Sequence, residues 1–106
     1  MAYDLKTLET TIAARAGSTA DKSYTKSLLD KGAAHCARKF GEESIETVIA
    51  AVEGDRAALV KEAGDVLFHL LVLLRASGIS LDEVLAELEA RTAQSGHAEK
   101  ASRLKD

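Results

Sequence analysis

The chain has 106 residues, with 14 basic and 17 acidic side chains and a formal net charge of −3. That length predicts one small domain over 1–106, and the charge balance argues against a nucleic-acid binder, which needs a basic footprint. A single cysteine excludes an intrachain disulfide framework or a cysteine-rich zinc site, and the absence of a secretory pattern or an apolar run of ~20 residues predicts a soluble, cytoplasmic protein with no membrane partner.

Apolar residues make up 46% of the chain, proline is absent, and Ala, Leu, Glu and Lys dominate. These are helix formers, so the expected class is all-α. Asp4 caps a first helix to about residue 16, with Leu5, Leu8 and Ile12 on one face. AGSTAD is a loop. A second helix opens at Ser23, and Gly32 either ends it or lies within it. GAAHCARKFG still reads as helical, and Gly41 is expected to mark a break or a kink. A third helix over about 42–53 carries Ile45, Val48, Ile49 and Val52 as one apolar stripe. Gly54 then stops it and Asp55 caps the next, so EGD is a tight helix–helix turn. The fourth helix, about 56–75, is apolar nearly all round, with Leu59, Ala63, Val66, Leu67, Leu70, Leu73 and Leu74 on one face and Phe68, Leu71 and Val72 extending it. Such a helix should be buried nearly all round. One short chain offers few helices to do so, which points to a homodimer. Ser80 and Glu83 form a capping-box pattern for a fifth helix to Arg91, and 92–106 is a polar tail. The expectation is a bundle of about five helices, its four-helix core completed or extended by dimerisation.

The acidic residues are placed against these apolar segments. Glu43 and Glu46 are three apart, as are Glu62 and Asp65, so each pair lies on one side of its helix. Glu46 precedes the EGD turn by about eight residues and Glu62 follows it by about seven. At ~1.5 Å per residue the two pairs reach the same height on an antiparallel hairpin. Four converging carboxylates repel, and either basic partners or a divalent cation relieves them. Lys39 and Lys61 can each serve one acid. Mg²⁺ or Mn²⁺ suits hard oxygen ligands and completes its shell with water and phosphate, which points to a phosphorylated substrate. The plainer alternative is a solvated acidic helix face.

The pattern E-x-x-E, helix turn, E-x-x-D resembles the all-α nucleoside-triphosphate pyrophosphohydrolase superfamily. Within it, SYTKSLLDKG, KFGEESIETVIAA, EAGDVLFHLLVLL and the tail segment SGHAEKASR are similar to phosphoribosyl-ATP pyrophosphatases, over about 5–103. The resemblance implies Mg²⁺-dependent hydrolysis of phosphoribosyl-ATP to phosphoribosyl-AMP and pyrophosphate, the second step of histidine biosynthesis, with Mn²⁺ as a substitute cation. It implies Glu43, Glu46, Glu62 and Asp65 as metal ligands, with Glu43 or Glu46 taking the proton of the attacking water. It also implies Glu42, Lys39, Tyr24 and Lys26 as substrate-binding residues. Gly64, Phe68 and Phe40 depart from the family pattern without touching an acid. Gly64 weakens its helix by roughly 1 kcal/mol relative to Ala and leaves room for another backbone.

His69 lies on the side of Glu62 and Asp65. It reads first as a packed, hydrogen-bonded interface residue, with orientation of a carboxylate or substrate contact as the alternative. Cys36 reads as a small buried hydrophobe, and His35 beside it lacks the further ligands of a metal site. Two other functions fit the same residues: a housekeeping pyrophosphohydrolase of dNTPs, sharing the acids but not the pocket, and a non-catalytic dimerisation module with no metal dependence.

Overall fold

A computed structural model describes residues 2–19 and 23–93. They form five helices, α1 (Leu5–Arg15), α2 (Tyr24–Asp30), α3 (Ala33–Glu53), α4 (Arg56–Ala76) and α5 (Leu81–Thr92). The described residues contain no strand, so the class is all-α.

Four of the five helices, all but α3, begin where a side chain accepts from their free amides. Asp4 accepts from the Thr7 amide at 2.8 Å, Ser23 from Lys26 at 3.2 Å, and Asp55 from Ala58 at 3.0 Å. Ser80 and Glu83 form the reciprocal capping box. Gly32 separates α2 from α3 and adopts φ 91°, a conformation that disfavours any side chain. Gly54 is also left-handed, at φ 71°. Its amide bonds Ala51 O at 3.1 Å and the Asp55 amide bonds Ala50 O at 3.2 Å. This paired closure turns the chain within two residues and lays α3 antiparallel to α4.

The expected break at Gly41 does not occur. α3 is one helix of 21 residues that runs through it. A single glycine costs roughly 1 kcal/mol of helix stability, and the helix-forming segments on both sides, docked on α4, outweigh that cost. Nor, among the described residues, does another backbone approach Gly41 or Gly64: a Cβ at either would meet nothing within 4 Å.

α3 and α4 share the most extensive contact in the fold, and α1 and α2 both pack on α4. The core collects Ile12, Leu28, Cys36, Leu71, Val72 and Leu81, with Leu8, Phe68, Leu73 and Leu74 around it. The Cys36 thiol donates to Leu28 O at 3.3 Å, and burial pushes its pKa up. The side chain is thus the small buried group its sequence context predicts.

α4 departs from expectation. Only His69, Leu71 and Val72 in it are buried, while Val60 and Leu67 stay exposed. One copy of the chain covers the end of α4 near α5 and leaves the end near the turn bare. The tail from 94 onward, with His97, lies outside the described residues.

Candidate active site

The α3–α4 hairpin brings the acids together at its middle. Glu43, Glu62 and Asp65 each offer a carboxylate oxygen, and the three atoms lie within 4.8 Å of one another. All three residues are half-buried. This is the register that equal distances from the EGD turn require. Glu46, one turn along α3, is exposed and stands outside the trio.

The local electrostatics are strained. The Glu43 carboxyl is pushed up to about 7, first by burial, then by its hydrogen bond with Glu46 and that residue's charge, then by the charges of Asp65 and Glu62. Glu62 Oε2 is buried with no hydrogen-bond partner among the described residues. Among the described residues no lysine or arginine forms an ion pair with the trio. Lys39 donates to Glu42 at 3.2 Å on its own helix, and Lys61 makes no ion pair among the described residues. A hard divalent cation fits this donor set: three carboxylates at coordinating separation, one of them with an orphaned buried oxygen.

The other predicted site residues separate into two groups. Tyr24 borders the acids: its ring stacks on Phe68 at 6.3 Å and meets His69 edge-on at 6.2 Å, while the residue stays 57% exposed. Lys39, whose pKa is raised mainly by its hydrogen bond to Glu42, carries its charge beside the same site. Lys26 instead donates to Asp30 at 2.6 Å, one turn along α2, and touches none of the acids. Glu42 is exposed and paired to Lys39, outside the trio.

Two side chains at the site carry more than the sequence indicated. Phe68, read as a neutral departure, is the surface on which Tyr24 rests. His69 is packed as expected but lacks the expected hydrogen bond. Its Nδ1 has no partner among the described residues, and its Nε2 lies 4.0 Å from Glu43 Oε1. Its burial arises within one chain. The signal in the sequence was its spacing of four from Asp65 and seven from Glu62, which places it on their face.

A cleft of about 590 Å³ lies elsewhere, between α1 and the α4–α5 turn, lined by Glu9, Thr10, Arg75, Ile79 and Glu83 among others. None of the acidic trio reaches it. Its Glu9 carboxylate accepts from the Leu81 amide at 2.7 Å and so serves as a helix cap.

Comparison with known proteins agrees with the resemblance of the motifs. Residues 5–92 match the family described as phosphoribosyl-ATP pyrophosphohydrolase. The chain is 58% identical to phosphoribosyl-ATP pyrophosphatase 1 of Rhodopseudomonas palustris, over 98% of this chain and 97% of that protein. It is 60% identical to the phosphoribosyl-ATP pyrophosphatase of Azorhizobium caulinodans, over 93% of this chain and 91% of the relative. The pyrophosphatase of Dinoroseobacter shibae is likewise 60% identical, over 93% and 97%. A family match spanning all five helices, joined to an acidic trio on the central hairpin, makes this chain a member of the phosphoribosyl-ATP pyrophosphohydrolase family.

Proposed function

We propose that the chain hydrolyses phosphoribosyl-ATP to phosphoribosyl-AMP and pyrophosphate, with Mg²⁺ as cofactor, in the second step of histidine biosynthesis in the cytoplasm. The observation that carries the reading is the acidic trio with its orphaned Glu62 oxygen, in a chain so similar to pyrophosphatases of this name.

Glu43, Glu62 and Asp65 would hold the cation, with Glu46 contributing from the next turn; Mn²⁺ suits the same oxygens. When bound, the cation neutralises phosphate charge and lowers the pKa of bound water. Glu46 is exposed and outside the trio. One carboxylate, Glu46 or Glu43, accepts the proton of the attacking water. Lys39 supplies a positive charge beside the acids for the departing pyrophosphate. Tyr24, resting on Phe68 and half in solvent, offers the nucleotide an aromatic surface. Glu42 keeps Lys39 in place, and Lys26, on α2 near Tyr24, serves the outer part of the substrate.

The working form in this reading is a homodimer. Its support is the α3 stripe, where Ile45, Val48, Ile49 and Val52 are 63%, 60%, 50% and 82% exposed. A contiguous apolar face of that kind marks an interaction surface. No helix among the described residues is long and apolar enough to cross a membrane, so that face is not a spanning segment.

The test is pyrophosphate release from phosphoribosyl-ATP, ATP and dNTPs, each with Mg²⁺ or with chelator. Selective, Mg²⁺-dependent turnover of phosphoribosyl-ATP is the expected result. Equal or better turnover of dNTPs would move the chain to housekeeping hydrolysis, and no turnover of any substrate would leave a helical dimerisation module.

A further inference from the structure

His69 is the one buried polar side chain of α4, and it is only 5% exposed. A residue needed merely to fill space there would be better served by leucine, because a buried polar atom without a partner is costly. The ring is held firmly all the same. Phe68 meets it edge-on at 5.1 Å and 83°, and Tyr24 at 6.2 Å and 87°. These two contacts hold the ring plane. Nε2 lies 4.0 Å from the Glu43 carboxylate, and among the described residues Nδ1 has no hydrogen-bond partner.

The neutral ring carries its proton on one nitrogen or the other. A proton on Nδ1 would bury an unsatisfied donor and turn a bare lone pair toward a carboxylate. A proton on Nε2 turns a donor toward that carboxylate and leaves only an acceptor unfilled. The second arrangement is the favourable one. At 4.0 Å the two groups are neighbours but not hydrogen-bonded.

We propose that His69 is a positioning residue for the acidic trio: its Nε2–H steadies the Glu43 carboxylate so that one oxygen stays turned toward Glu62 and Asp65. This inference rests on the reading of the trio as a cation site. Outer donors of this kind orient carboxylate ligands and raise metal affinity without touching the metal.

The test titrates Mn²⁺ alone, followed by electron paramagnetic resonance, into wild type, H69Q and H69L. The glutamine amide reaches the Nε2 position and keeps a donor; leucine keeps the packing and removes it. H69L is expected to bind Mn²⁺ about 10- to 100-fold more weakly than wild type, with H69Q close to wild type. In turnover, the same split should appear in the Mg²⁺ requirement, with the KM for nucleotide at saturating Mg²⁺ unchanged. Equal Mn²⁺ affinity in H69L and wild type overturns the inference while leaving the cation site standing. A change confined to the nucleotide KM overturns it as well, in favour of direct substrate contact. A wild-type chain that binds no Mn²⁺ overturns the cation site itself. Should H69L fail to fold, the ¹⁵N spectrum of the wild-type histidines with Mg²⁺ decides: an Nε2–H tautomer at His69 supports the inference, and an Nδ1–H tautomer refutes it.

Discussion

The two ends of the α3–α4 hairpin are built alike and finished differently. At the root, 33–44 of α3 and 69–76 of α4 lie under α1 and α2, and Cys36, His69, Leu71 and Val72 are buried. At the tip, 45–67 carry comparable apolar residues, yet Ala50 alone is buried. A pair of helices buries one stripe of each against the other, and every further stripe needs another layer. The root has that layer within the chain and the tip does not. The acidic trio sits at the seam between them, where the root supplies rigidity and the tip still opens to solvent.

The seam offers the largest expected effect. Asp65→Asn should lower pyrophosphate release on the order of a thousandfold, the several kcal/mol that metal-assisted charge stabilisation supplies, with an unchanged circular dichroism spectrum. Turnover at the wild-type level would remove Asp65 from the site. At the root, Leu71→Ala should cost about 2–5 kcal/mol in urea denaturation, as large-to-small changes in a packed core do. Ile49→Ala at the tip, measured at concentrations where the chain is monomeric, should stay within about 0.5 kcal/mol. Equal costs would erase the distinction between the ends.

A charge at the tip sharpens it further. Val48→Asp should convert a dimer to a monomer in sedimentation velocity with the helical content kept, and a wild-type chain that sediments as a monomer would deny the tip its proposed partner. The seam also predicts a pH dependence. The Glu43 carboxyl stands near 7 in the folded chain against 4.5 as its ordinary value. The stability this brings is therefore complete below pH 4.5 and is lost as pH rises through 7. In chelator, the melting temperature should decline across that window, and either Mg²⁺ or E43Q should flatten the decline; an equally steep decline in E43Q would assign it to another group. The smallest effect belongs to the turn, where Asp55→Ala should cost about 1 kcal/mol by removing the cap on Ala58.

Much of this was legible in the residues. The caps at Asp4, Ser23, Asp55 and Ser80 and the stop at Gly54 are local chemistry, and all stand where short-range patterns put them. The convergence of Glu43, Glu62 and Asp65 followed from helix rise and one tight turn. What failed was tertiary. Gly41 carries a genuine local cost, but the docking of α3 on α4 decides whether a helix continues through it, and no short window contains that contact. The pairing of Tyr24 with Phe68 joins residues far apart in the chain and had no periodic trace.

The bond from the Leu81 amide to Glu9, 72 positions earlier, also bears on how the molecule assembles. The hairpin of α3 and α4 is held by near neighbours in sequence and can form early, whereas the opening of α5 borrows an acceptor from the first helix. That acceptor arrives only after the intervening chain has closed on itself, an entropic delay that local turns do not face. α5 is thus made conditional on α1: it acquires its partner at Glu9 when α1 has docked, and loosening α1 should release α5 before it disturbs the hairpin.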